Sequence, residues 1–217
     1  MRNDPYQILK VNPSSKIEDI KKAYRKLVKI HHPDKGGDVK AMTEINAAWE
    51  ILKKKHKAEN IDKTNNLTVS NQGKANKETN NYSKSEEIKS WFQNIYLPID
   101  KLLGQIINPL SSKIKDLSAD PYDQELMDSF CAYLEKSKNK IARVKKIYIS
   151  KASPSITKEF SLNLYYCLSQ VEDGLNELER YTMGYVDNYL HDGKSMIAEA
   201  KKKRKFLQTN KKEWLIL

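Results

Sequence analysis

The most chemically pointed stretch of the chain is His32-Pro33-Asp34, followed by Lys35. A carboxylate next to a proline sits on a stiffened backbone, and cations precede it at helical spacing: Lys21, Lys22, Arg25, Lys26 and Lys29. This pattern suits electrostatic capture of an anionic surface with one acid presented beyond it, more than bond-breaking chemistry. The pair His31-His32 invites a metal, but no Cys, Asp or Glu completes a plausible ligand set around it. Cys131 and Cys167 are the only cysteines, so neither a CxxC zinc pair nor a disulfide framework is expected. No Ser/His/Asp, Cys/His, phosphate-loop or dinucleotide motif is present. We expect no catalytic centre, no cofactor and no metal.

Two helices must place these residues. Ile17, Ile20, Ala23, Tyr24, Leu27 and His31 recur at spacings of three and four, which predicts a helix over roughly 16 to 31 with the cations covering its remaining surface. Met42, Ile45, Trp49 and Leu52 make a second apolar stripe on a helix over about 38 to 54. Pro33 ends the first helix, since the residue before a proline is pushed out of the helical region. Gly36-Gly37 turn the chain and Asp38 is the expected N-cap of the second helix. Facing stripes on antiparallel helices predict a hairpin with His32-Pro33-Asp34 at its exposed tip.

The 217 residues carry 39 Lys plus Arg against 28 Asp plus Glu, a formal charge of +11. That balance admits nucleic acid, an anionic membrane or an acidic protein as partner. No stretch reaches the roughly 18 to 20 apolar residues of a membrane span. The polar opening Met1-Arg2-Asn3-Asp4-Pro5 lacks a signal-peptide core, and a reducing cytoplasm is the expected compartment. Between about 58 and 84, seven asparagines lie among Lys, Thr and Ser, with few large apolar residues. Such a segment cannot bury enough surface to offset its ordering entropy. It is expected to be a flexible linker spanning roughly 25 to 30 Å, dividing the chain into residues 1–57, 58–84 and 85–217.

The N-terminal hairpin resembles the J domain, the DnaJ-type co-chaperone module. The resemblance rests on Asp4-Pro5-Tyr6 with Ile8-Leu9, the run from Ile20 to Leu27, His32-Pro33-Asp34-Lys35, and Ile45-Asn46-Ala47-Ala48-Trp49-Glu50-Ile51-Leu52. It covers about a quarter of the chain, and His31 and Trp49 stand where the family often has Tyr. The resemblance implies a DnaK-type heat-shock chaperone as partner, whose ATP hydrolysis the J domain stimulates. It further implies that Asp34 reaches an arginine of that chaperone, that His32 and Pro33 hold the carboxylate in place, and that the basic helix meets an acidic patch.

Beyond the linker, no Gly/Phe-rich segment, four-CxxC zinc domain or β-rich substrate domain is present. The chain resembles the third, heterogeneous kind of J-domain protein, in which a private domain selects client or location. That domain reads as an all-helical bundle. Ser83 with Glu86 fits a capping box, and Ile88, Trp91, Phe92 and Ile95 form a stripe that Pro98 should close. Pro109 is expected to kink or break the next helix. Asp120-Pro121 and Ser153-Pro154 read as helix starts, and Asp192-Gly193 as a break before a last basic helix. The helices either side of residues 150–153 should form a long antiparallel hairpin. Cys131 would then face a residue near 172, too far from Cys167 for a disulfide.

The expected protein is an all-α, non-enzymatic co-chaperone whose residues 85–217 hold an unidentified client. The alternative is an adapter for nucleic acid or an anionic membrane with an accessory J domain, using Lys201-Lys202-Lys203-Arg204-Lys205. Tyr165, Tyr166, Tyr181, Tyr185 and Tyr189 are expected mostly in helix packing. An iron–sulfur assembly co-chaperone also pairs a J domain with a helical bundle, but with little linker between them.

Overall fold

The structure is a computed structural model that describes residues 4–32, 37–61 and 81–216, with backbone alone at 57–61, 81–83 and 212–216. Every regular element among the described residues is helical, as the periodicity predicts. The chain divides into two compact units, residues 1–76 and 77–217.

In the first unit, α1 (Pro5–Ile8) is capped by Asp4, whose carboxylate accepts from the Tyr6 amide at 3.1 Å. Helix α2 spans Ile17–His31 and α3 spans Val39–Ile61. Glu18 and Asp19 open α2 and Lys29 and His31 close it, an arrangement that complements the helix dipole. Ile20, Tyr24, Leu27 and Val28 pack with Ile45, Ala48, Trp49 and Leu52 as a buried layer, closed below by Tyr6 and Leu9. The Tyr24 ring stacks on Trp49 at 5.2 Å, and its hydroxyl donates to Asn46 at 2.8 Å. Burial, with the charge of Glu50 adding, pushes the Tyr24 phenol up to about 12. Helix α3 runs seven residues further than its apolar stripe predicts.

The second unit begins with α4 (Asn81–Trp91), which runs without interruption through a π-helical turn, Phe92–Tyr96, into α5 (Leu97–Leu117). Pro98 therefore does not close the helix. The π turn resets the hydrogen-bond register, with the Leu97 amide reaching back to the Phe92 carbonyl, and Pro98 then falls in the first turn of α5, where its missing N–H costs little. Pro109 does not break α5 either. It lies on the exposed face, and beside it the Tyr133 hydroxyl donates to the Ile106 carbonyl at 2.6 Å.

Helix α6 (Gln124–Ser150) starts later than Asp120-Pro121 suggests. Asp120 caps a local turn by accepting from the Tyr122 amide, and Asp123 is the true N-cap, accepting from Leu126 at 2.8 Å. Ser153-Pro154 likewise leads into a short 3-10 turn, Ser155–Thr157, before α7 (Lys158–Gly184). Helices α6 and α7 are antiparallel as expected, but Lys145 pairs with Glu172 at 2.6 Å and Lys138 with Glu179. Residue 145, not Cys131, thus stands opposite 172, because residues 151–157 lengthen the connection. Neither cysteine is in a disulfide; Cys167 is buried, and its thiol, pushed up to about 12 by burial, donates to the Ala200 carbonyl.

The last helix, α8 (Asp187–Ile216), runs straight through Asp192-Gly193. A Cβ on Gly193 would lie 2.9 Å from the Gly174 carbonyl oxygen, and one on Gly174 would lie 3.0 Å from that of Gly193. The two glycines let α7 and α8 cross almost backbone to backbone. The chain reverses instead at Tyr185, in the left-handed region at φ 55°, a conformation that costs a non-glycine residue roughly 1–2 kcal/mol. Its ring is held by Tyr122, stacked at 5.1 Å, and by Tyr181.

Candidate docking site on the N-terminal hairpin

The sequence-predicted site starts on α2. Lys22 and Lys26 are exposed, and Lys29 and Lys21 half-buried. Positions 22, 26 and 29 stand one helical turn apart along one face. Arg25 differs: it is 8% exposed, so it belongs to the packed side of the hairpin and not to the outward basic face. A guanidinium on a three-carbon stem can be drawn inward at a position where helical periodicity alone assigns only "polar".

The helix ends where the motif begins. His32 leaves helical geometry for an extended backbone, φ −63° and ψ 132°, as expected ahead of a proline. The Gly37 amide donates to the His32 carbonyl at 3.1 Å and closes the turn. A Cβ on Gly37 would overlap the His31 backbone, so only glycine permits so tight a closure. Asp38 then caps α3, its carboxylate accepting from the Lys40 amide at 2.9 Å. Pro33, Asp34 and Lys35 lie outside the described residues. The base of the tip is thus built around His32 and Gly37, half-buried on either side.

Two apolar residues flank this turn and were not singled out from the sequence. Ile30 is 65% exposed and Val39 68%. Their signal was available, since neither falls on the stripe Ile20–Tyr24–Leu27 or Ile45–Trp49–Leu52. An apolar residue off the buried stripe and next to a charged tip is a candidate contact. Among the described residues, no group of three His, Cys, Asp or Glu side chains could hold a metal ion, and no helix is long and apolar enough to cross a membrane.

In the second unit, the basic run on α8 is not uniform. Lys201, Lys202, Lys203 and Lys205 are exposed, whereas Arg204 turns inward. Its Nε and Nη2 reach the Asp100 carboxylate at 2.7 and 3.0 Å, with Gln208 donating to the same group. Gly104 makes room for the guanidinium, since a Cβ there would stand 2.8 Å from Nη2. Tyr181 is buried and Tyr185 and Tyr189 partly so, as the packing expectation has it, but Tyr165 and Tyr166 are half exposed. The Trp214–Leu217 side chains lie outside the described residues.

A basic helix, the sequence His32-Pro33-Asp34 that follows it and a second helix behind are what a J-domain protein presents. Residues 4–62 match the DnaJ domain, and residues 83–215, more than half the chain, match the family described as "Cyanobacterial DnaJ chaperone, C-terminal domain". The chain belongs to that family, a J domain joined to a distinct helical C-terminal domain. Similar curated proteins include the tetratricopeptide repeat and J domain-containing co-chaperone DNJ1 of Mycosarcoma maydis, 47% identical over 23% of this chain and 8% of its own length. The chaperone protein DnaJ of Rickettsia bellii is 43% identical over 33% of this chain and 20% of its own. DnaJ protein homolog 2 of Allium porrum is 46% identical over 26% of this chain and 14% of its own. The chain therefore spans a fifth or less of the length of these three relatives. No solved structure matches it.

Proposed function

We propose that the protein is a co-chaperone that docks on a DnaK-type chaperone through α2 and the His32–Lys35 tip and stimulates its ATP hydrolysis. The observation that carries this reading is the row of exposed Lys22 and Lys26 and half-buried Lys29, running directly into the turn that the His32–Gly37 hydrogen bond closes. The lysines steer the encounter with an acidic surface, an effect expressed mostly in association rate and salt dependence. Asp34 supplies the directional contact to a partner cation, and Ile30 and Val39 supply apolar contact on either side. The C-terminal unit brings a client or a cellular address to the complex.

Binding of the ATP-loaded chaperone to the full chain, measured by surface plasmon resonance, tests the docking. Asp34→Asn should weaken it by an order of magnitude or more, since losing one partner of a desolvated charge pair costs about 2–5 kcal/mol. Lys22→Glu/Lys26→Glu should slow association and flatten the salt dependence. Unchanged binding by both variants would rule out this surface. The exposed lysines of α8 favour a second reading, attachment to an anionic membrane or nucleic acid. Salt-sensitive retention of the full chain on anionic vesicles or RNA, lost on reversing Lys201, Lys202, Lys203 and Lys205, would support it.

A further inference from the structure

Between the C-terminal half of α5 and the N-terminal half of α8 lies an open groove of about 440 Å³. Its floor is apolar, formed by Ile107, Leu110 and Ile114 from α5 and Ile197 from α8. Ala198, exposed and small, leaves the mouth wide. That volume falls within the range of roughly 300–1,000 Å³ of pockets that seat ligands or side-chain anchors. Three exposed lysines rim it: Lys115 from α5, and Lys194 and Lys201 from α8.

The lysines decide what the groove can take. Among the described residues, none of the three is in an ion pair; the neighbouring acid Glu199 is held by Lys202 at 2.7 Å. Lys194 and Lys201 stand two turns apart on one face of α8, roughly 10 Å, and Lys115 faces them across the groove. Cations spread over two helices, two of them two turns apart, suit an extended anionic occupant better than a compact one. An occupant with an apolar stripe and carboxylates spaced along two helical turns on both flanks matches floor and rim together. Two packed helices with an unfilled seam between them accept a third helix in the helix-in-groove mode.

We propose that this groove is the client-docking surface of the C-terminal unit, and that it takes an amphipathic helical segment whose apolar stripe is flanked by acidic side chains. This deepens, and rests on, the reading of that unit as the selector of clients. It gives the selection a chemistry: acidic amphipathic segments are taken and basic ones are repelled by the rim.

The probe is a fluorescein-labelled peptide of about 18 residues, long enough to be helical, with leucines on one stripe and glutamates on both flanks. A second peptide carries lysine in place of glutamate. Each is titrated with the full chain and read by fluorescence anisotropy. The acidic peptide should bind saturably and more weakly as salt rises, and the basic one should not bind. Lys115→Glu/Lys194→Glu/Lys201→Glu, and separately Ala198→Trp, should each weaken the acidic peptide at least about tenfold. All four positions are exposed, so unchanged circular dichroism will confirm that the helices persist. Lack of saturable binding, equal binding of both peptides, or full binding by Ala198→Trp would overturn the proposal. So would a lysine-dependent retention on anionic vesicles with no peptide binding. Stimulation of the chaperone ATPase, measured in parallel, separates the two claims: stimulation without peptide binding sinks the groove, and peptide binding without stimulation sinks the co-chaperone reading instead.

Discussion

The crossing of α7 and α8 turns a common stabilising substitution into a destabilising one at Gly193. Alanine in place of glycine inside a helix ordinarily gains about 1 kcal/mol. Here the added Cβ would stand 2.7 Å from Leu178 Cγ and 2.9 Å from the Gly174 carbonyl oxygen. The leucine can turn aside, but the carbonyl belongs to α7's backbone, so α8 must move off its neighbour. Overpacking of this kind costs typically 1–3 kcal/mol, and a backbone clash places it toward the upper end. The net expectation for Gly193→Ala is a loss of about 1–2 kcal/mol, or several degrees in Tm. Gly184→Ala is the internal control, because a Cβ there meets only Val186 Cγ2 at 3.7 Å; it should leave stability unchanged or raise it. Urea unfolding of the full chain, followed by circular dichroism and by tyrosine fluorescence, reads both. A Gly193→Ala protein as stable as wild type, or more stable, would refute the close crossing.

Two further outcomes are expected from buried groups in the C-terminal unit. Asp100→Asn removes the charge that holds Arg204 and Gln208, and should destabilise the unit by about 1–3 kcal/mol in urea unfolding. The Cys167 thiol is raised from 9.0 to about 12, and the Tyr133 and Tyr181 phenols from 10.0 to about 12, in each case chiefly by burial. Groups raised on folding stabilise fully below their unfolded values and lose that contribution as pH climbs through the folded ones. Urea midpoints should therefore fall from about pH 9 towards pH 12, and Cys167→Ala should delay the onset to about pH 10.

The hairpin was legible because its signals are local and agree with one another. Pro33 and Gly37 end and turn the chain, Asp38 caps the second helix, and the stripe Ile20–Tyr24–Leu27 repeats one side of the first. Arg25 was misplaced because periodicity separates polar from apolar positions but does not say which polar side chain folds inward. In the C-terminal unit the punctuation marks misled, each for its own reason. Pro98 read as a stop and Pro109 as a kink or break, yet a π turn absorbs the first and the exposed second leaves α5 unbroken. Asp192-Gly193 has the composition of a turn, but the same glycine serves a helix crossing that only its distant partner Gly174 reveals. The reversal fell to Tyr185, a residue with no turn propensity, stabilised by Tyr122 from 63 positions away. The groove between α5 and α8 likewise joins residues about 80 apart, and the sequence around Lys115 carries no sign of Lys194.

The most direct test of the co-chaperone reading is the single-turnover rate of ATP hydrolysis by a purified DnaK-type chaperone, measured at low ionic strength with saturating full-length protein. The wild-type chain should raise that rate well above the chaperone's own, and Asp34→Asn should return it to the unstimulated value while its circular dichroism stays unchanged. A wild-type chain that leaves hydrolysis at the basal rate, or an Asp34→Asn variant that stimulates as well as wild type, would contradict the account.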